Sequence, residues 1–323
     1  MMSRLLVLLA VISAVYATGN TCKTGNIVNR LVNNQSYYFP STWDENQTAP
    51  NLEKQQTCSW TVTIPQGYYA RLIIDGKVEG NNSRIQTVDS VGNREQTTQE
   101  TKQPYFFPPP KFTLTVSNEA AATFAFKIQW LPLPTTSPSV YYSIGHQYHL
   151  INATNTLYYE GYSSRGGISL FNYPHDRKNY FSLRSTLVFD GPNLNGQYVG
   201  NLFSLYQTKN QYISFNDVIV LVNLEDSNVS DLLLIQSAEM THDLNYVALP
   251  TIHNSTHNAT LDLDEDTNCL ISASYINQTM ISVQMNDNDT VSVYLGTPSP
   301  YTLNRNYTGC CVEEMLCSRF KHE

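Results

Sequence analysis

The stretch CSWTVTIPQGYYARLIID, residues 58–75, decides the fold. Trp60, Val62 and Ile64 alternate with Ser59, Thr61 and Thr63, so an extended segment has one apolar and one polar face. Pro65-Gln66-Gly67 then breaks the chain, because proline cannot donate to a strand ladder and glycine suits a turn. Tyr68, Ala70, Leu72 and Ile74 resume the alternation. The three-residue connection preserves parity, so both strands feed one core. FTLTV (112–116) and FAFKIQW (124–130) repeat the pattern, with Phe112, Leu114 and Val116 on one face and Phe124, Phe126, Ile128 and Trp130 on another. Many short strands between Gly, Pro and Asn turns predict an all-β sandwich protein.

Outward from this core, the N-terminus bears on the compartment. Arg4 precedes the apolar run LLVLLAVISAV (5–15), and VYA (15–17) offers small residues to a signal peptidase. The run is too short to span a bilayer, so 1–17 reads as a secretory signal peptide cleaved after Ala17. No later segment reads as a transmembrane anchor, and the polar C-terminus lacks a GPI-attachment tail. The mature chain holds all six cysteines: Cys22, Cys58, Cys269, Cys310, Cys311 and Cys317. An even count in a secreted chain suggests disulfides. Ten Asn-x-Ser/Thr sequons occur, at Asn34, Asn46, Asn81, Asn152, Asn228, Asn254, Asn258, Asn277, Asn288 and Asn306. In an exported chain these are candidate glycosylation sites. Only 14% of residues are charged, and the formal net charge is −8. That balance argues against nucleic acid as a partner.

LPLPTTSPS (131–139) reads as an extended linker after the first β-rich unit. The second half then repeats the first in spacing. Gly67 opens ARLII and precedes Asp89 by 22 residues, while Gly167 opens ISLF and precedes Asp190 by 23. Asn118 precedes FAFKIQ by six residues, as Asp226 precedes LLLIQ. SVQM (282–285) and VSVYL (291–295) read as strands flanking MNDNDT. The expected organisation is 18–133, linker 134–140, second sandwich 141–240, and a β-rich cysteine-containing region 241–323. That last region either completes the second domain or forms a disulfide-held appendix.

Residues 18–133 resemble the CUB family, and more closely the CUB-like secreted proteins of nematodes. The residues that carry the resemblance are Cys22, Cys58-Ser59-Trp60, the Pro65-Gln66-Gly67-Tyr68-Tyr69 turn, the closing FAFKIQW and YYFPSTWDENQTAPN (37–51). STLVFDGPNLNGQYVGNL (185–202) resembles the CUB strand that ends in an Asp-Gly turn, here Asp190-Gly191. The resemblance implies a CUB-like jelly-roll β-sandwich, two in tandem, and a disulfide joining Cys22 to Cys58. Such a bridge closes a loop of about 35 residues and contributes ~3–4 kcal/mol in the chain-entropy model. The resemblance also implies a role in innate immune or stress responses.

Many CUB domains bind calcium through three acidic positions. In the second half the matching places hold Asp176, Arg184 and Asp226, and in the first Asp75, Asn82 and Asn118. A cation beside Ca²⁺ is repulsive and amides supply no charge, so no such calcium site is expected in either half. No other metal or cofactor is expected. Asp262, Asp264 and Asp266 have the spacing of a calcium loop, but Thr267 and Ala273 stand where an EF-hand needs Gly and Glu. His146 with His149, and His253 with His257, lack a helical setting. No nucleophile elbow appears, and Ser163 and Ser164 have no identifiable base. No catalytic residue is therefore assigned. Adjacent Cys310 and Cys311 rarely pair with each other, and three pairings remain for Cys269, Cys310, Cys311 and Cys317. YFFPPPKF (105–112) offers Tyr105, Phe106 and Phe107 either as a presented binding surface or as a covered sheet edge.

The sequence reading is a secreted, non-catalytic recognition protein for microbial or host extracellular surface glycans or proteins. The alternatives are an extracellular structural glycoprotein and a hydrolase with an unrecognised site.

Overall fold

The computed structural model describes residues 19–135, 137–208, 211–242, 244–249, 256–260, 268–274, 280–309 and 311–313. The expected signal peptide 1–17 lies outside the described residues, as do His253, Asn254, Asn277, Cys310, Cys317 and the loop holding Asp262, Asp264 and Asp266. The protein is all-β, with sandwich domains in tandem and, among the described residues, one short α-helix, Leu202–Thr208.

In the first sandwich, Gln56–Thr63 runs parallel to Asn26–Val28 on one side and antiparallel to Lys111–Asn118 on the other. That five-stranded sheet continues through Arg84–Val88 to Arg94–Thr97. Tyr68–Lys77 lies in the opposite sheet. There it pairs with Ala122–Pro132 on one side, and with Gln99–Thr101 and Tyr105–Phe107 on the other. The Pro65–Gly67 turn is thus a corner between sheets, and its two strands feed one core from opposite sides. Gly67 sits at φ +81°, the left-handed region a type II turn requires, and the Tyr68 N–H donates to the Pro65 carbonyl at 3.2 Å. Trp60, Val62, Leu72, Ile74, Phe112, Leu114, Phe124 and Phe126 fill the space between. Each fully buried side chain of Leu or Phe size contributes about 1.5–3 kcal/mol. The disulfide Cys22–Cys58 ties the N-terminal segment to this core with Cα atoms 5.6 Å apart.

The second sandwich has the same strand order. Val140–Ser143 runs parallel to Tyr158–Ser163, followed by Val218–Asn223, Thr186–Asp190 and Gln197–Asn201. The facing sheet runs His149–Asn152, Leu232–Ser237, Ile168–Tyr173, Gln211–Ile213. The stretches matched by spacing fall on equivalent strands: ARLII with ISLF, FAFKIQ with LLLIQ, and Asp89 with Asp190 at strand ends. The segment between the halves is no free spacer. The Leu133 N–H donates to the Gly67 carbonyl at 2.9 Å, and the Ser139 N–H to the Tyr159 carbonyl at 2.7 Å.

The later chain packs on the outer face of the second sandwich. Asn245–Leu249 and Asn268–Ser272 form a parallel pair. Tyr246, Ala248 and Ile271 cover Phe171, Tyr173, Leu232 and Leu234. Ser282–Gln284 and Thr290–Tyr294 do not pair with each other. The first pairs with Cys311–Glu313 and the second with Leu303–Thr308. Among the described residues Cys269 forms no disulfide: it is a half-buried thiol whose pKa burial raises, and two of its candidate partners, Cys310 and Cys317, lie outside them. Its strand faces Asn245–Leu249, whereas the strand of Cys311 faces Ser282–Gln284.

Candidate functional site

The outer faces of the two sandwiches meet in a seam. Tyr69, Phe106 and Leu133 of the first pack against Tyr159, Leu187, Phe189, Tyr198, Val220 and Val222 of the second. Polar contacts frame this apolar patch. Arg71 donates through Nε and Nη2 to the two carboxylate oxygens of Glu225, at 2.6 and 3.0 Å. Asn93 Nδ2 donates to the Val199 carbonyl at 3.1 Å. That approach requires Gly200, where a Cβ would lie 2.9 Å from Asn93 Nδ2 and 2.7 Å from Ser204 Oγ.

At one end of the seam, the 3₁₀ helix Phe181–Ser185 inserts Arg184 between the sandwiches. Arg184 is 2% exposed. Its Nε donates to Glu95 Oε2 at 2.8 Å and its Nη1 to Glu100 Oε2 at 3.3 Å. Tyr105 Oη donates to the same Glu100 oxygen at 2.6 Å. The guanidinium lies 3.6 Å over the Tyr105 ring, with Phe181 at 4.5 Å and Phe203 at 4.8 Å. Burial pushes the Glu95 carboxyl up despite Arg184, and it pushes the Tyr105 hydroxyl well up. Burial alone would lower the Arg184 pKa, but the charges of Glu95, Tyr105 and Glu100 outweigh it and hold the cation.

Tyr105, Phe106 and Phe107 are therefore no presented surface: they are 3%, 1% and 4% exposed. Their strand extends the sheet beside Tyr68–Lys77, and the second sandwich covers it. Phe107 stacks inward on Phe112 at 4.1 Å.

Two cavities open along the seam. One, ≈ 140 Å³, has Glu95, Tyr105, Phe181, Arg184 and Phe203 in its walls, with exposed Gln96, Lys178 and Gln207 beside Thr97 and Tyr180. The other, ≈ 260 Å³, lies over Phe106 and Phe181 with Ser182, Ser185, Glu225 and Asp226.

The places matched to calcium ligands each have other neighbours. Arg184 pairs with first-sandwich carboxylates. Asp176 accepts from the Lys178 N–H at 2.8 Å and Asn179 Nδ2 at 3.0 Å, which holds its carboxyl below the usual range. Asp226 is exposed at the larger cavity. Asp75 accepts from the Ala49 N–H at 3.1 Å, Asn82 Nδ2 donates to Glu119 at 2.6 Å, and Asn118 Nδ2 donates to the Glu53 carbonyl at 2.7 Å. Among the described residues no group of three His, Cys, Asp or Glu side chains is gathered to hold a metal ion.

The other singled-out residues are dispersed. His146 Nδ1 lies 3.3 Å from Met240 Sδ, while the His149 ring lies 4.3 Å from that of Tyr142. Ser163 Oγ donates to the Tyr142 carbonyl at 3.4 Å and Ser164 Oγ to Ser237 Oγ at 2.9 Å. Asn34, Asn46, Asn81, Asn228, Asn258, Asn288 and Asn306 are exposed. Asn152 is half-buried, and its Nδ2 donates to Ser230 Oγ at 2.5 Å.

Sequence reasoning missed the seam. The signal it left was the continuous apolar run VIVLV (218–222), which marks a strand covered on both faces. Nothing in the sequence pairs Arg184 with Glu95 and Glu100, which lie more than 80 residues away, at separations of 89 and 84.

Residues 17–134 match the family described as CUB-like domain, and residues 164–224 match a Domain of unknown function (DUF7592). Solved structures similar to the chain include the following three. The CUB1-EGF-CUB2 domains of rat MASP-1 are 6% identical, over 67% of this chain and 100% of that one, with a TM-score of 0.27. The CUB1-EGF-CUB2 domain of human MASP-1/3 is 7% identical, over 63% and 99%, with a TM-score of 0.24. The full extracellular region of zebrafish Gpr126/Adgrg6 is 8% identical, over 67% and 37%, with a TM-score of 0.26. No curated protein matches the chain. The CUB-like domain suggests an extracellular interaction module on a fold that is typically non-catalytic. No helix among the described residues is long and apolar enough to cross a membrane.

Proposed function

We propose that the protein is secreted and glycosylated, and that it acts without catalysis in nematode innate immune or stress responses. It binds glycans or proteins on microbial or host surfaces. The observation that carries the reading is the CUB-like domain over 17–134, joined through a packed seam to a second sandwich of the same strand order. Such a body offers concave surfaces where its halves meet, which is where binding sites commonly form. The seam's charged groups support binding over chemistry, since Arg184, Glu95 and Glu100 satisfy one another. Exposed sequons on both sandwiches fit a glycosylated extracellular body.

The test uses the protein secreted from animal cells, mixed with whole bacteria and with intestinal surface extracts, with and without EDTA. Saturable binding that survives EDTA is the expected result. Loss of binding in EDTA would replace calcium-independent recognition with a metal-dependent mode. Binding to neither surface would overturn the reading.

A further inference from the structure

The ≈ 140 Å³ cleft at the Arg184 end of the seam belongs to neither sandwich alone. Glu95, Gln96 and Thr97 come from the first half, while Lys178, Tyr180 and Gln207 come from the second. We infer that this cleft binds the terminal residue of a neutral glycan, a single uncharged pyranose presented at the end of a chain.

The charge balance argues first. Arg184 in the cleft wall is matched by Glu95, which also lines the cleft, and by Glu100 behind it, so the floor holds no spare cation, and Lys178 lies exposed at the rim. An ionic group seated on that floor would find its charges already matched, and desolvating an unmatched ion is costly. Hydrogen-bonding capacity argues second. The mouth presents two exposed carboxamides, Gln96 and Gln207, each able to donate and accept. Such groups match a ring of hydroxyls, which also donate and accept. Ring faces argue third. Tyr180 is half-buried at the cleft and is braced by Phe203 at 4.9 Å and Tyr206 at 5.0 Å. A braced ring offers an apolar face with little entropy to lose, and the C–H face of a pyranose packs on such a surface. An apolar peptide side chain would strand the carboxamides, so the same lining disfavours it.

This inference rests on the recognition reading above, and the experiment separates their failures. The full-length protein is titrated with methyl α-mannopyranoside, methyl β-galactopyranoside and N-acetylglucosamine, observed by saturation-transfer NMR. The same sugars then compete against its binding to whole bacteria. At least one neutral sugar should bind saturably and compete. Gln207→Ala and Gln96→Ala, both at exposed positions, should each weaken that sugar at least about tenfold, the scale of one or two lost hydrogen bonds, with unchanged melting. Tyr180→Ala should do the same, and Tyr180→Phe should retain binding if the ring face is what matters. If bacteria are bound but no neutral sugar binds or competes, the inference falls and the recognition reading stands. The inference also falls if only acidic sugars bind, if protease treatment of the surface abolishes capture, or if the Gln96 and Gln207 variants bind like wild type. Absence of any surface binding would remove both.

Discussion

Lys111–Asn118 and Val218–Asn223 hold the same place in their two sandwiches, yet their environments differ. The first alternates buried and partly exposed residues along its length. The second is buried at every position after Val218. The sheet of Lys111–Asn118 has one covered face, so a period of two suffices. The sheet of Val218–Asn223 packs inward on its own core and outward through Val220 and Val222 on the first sandwich. On its far side, Ile168–Tyr173 and Leu232–Ser237 are buried throughout because the later chain lies over them. One topology thus serves as an outer body in one copy and as a central layer in the other. The first copy carries a disulfide in its core, while the second relies on neighbours. The cover changes the sequence pattern without changing the strand order.

The sharpest way to break the comparison is Arg184→Leu. It leaves Glu95 and Glu100 buried without a counter-ion, and removing one partner from a buried pair costs about 3–5 kcal/mol. All three tryptophans, Trp43, Trp60 and Trp130, lie in the first sandwich. In wild type, tryptophan fluorescence and far-UV circular dichroism should give one denaturation midpoint. In the variant the second sandwich should melt earlier, so the two signals separate. Coincident, unshifted curves would show that the ion triad does not couple the halves.

A smaller loss is expected from Cys58→Ser, about 3 kcal/mol from the released loop. This change acts on the first sandwich alone, since Cys58 is 0% exposed within its core. The fluorescence midpoint should fall, while ellipticity from the second sandwich persists to higher denaturant. Normal secretion and native melting of the variant would contradict the role of the bridge.

The smallest effect is one of pH. Burial raises the Glu95 carboxyl above its unfolded range, with Arg184 opposing. A raised group contributes stability that is fully present below the unfolded pKa and is lost as pH rises through the folded one. Wild type should therefore gain stability relative to Glu95→Gln as pH falls from 7 to about 5, since a free glutamate titrates near 4.3. Denaturation midpoints of both proteins at both pH values measure this. A relative loss for wild type would mean that Arg184, not burial, dominates Glu95.

Much of the first sandwich was legible in residues 58–75. The alternation of Trp60, Val62 and Ile64 with Leu72 and Ile74 placed their side chains in one core, as found. Local pattern suffices there because a half-covered strand writes its environment into every second residue. The repeated spacing around Asp89 and Asp190 likewise follows from strand lengths, which the chain sets locally. The candidate site was not legible. Tyr105–Phe107 reads equally as a presented or a covered segment until something is seen to lie on it, and the second sandwich does. Glu95 and Glu100 sit among polar residues and look solvated, while Arg184 looks only like a misplaced cation in a lost calcium site. Their burial depends on two surfaces meeting, and no local periodicity encodes which surfaces meet.

The sequence by itself determined an all-β chain, its first core, the turn at Gly67 and the repetition of one strand plan. Those features depend on backbone geometry and on the alternation of apolar side chains over a few residues. Only the tertiary structure decided that the two copies join face to face, that Arg184 bridges two carboxylates of the other half, and that a cleft opens where they meet. These depend on contacts between residues far apart in the chain, where burial turns solvated charges into a matched, desolvated set.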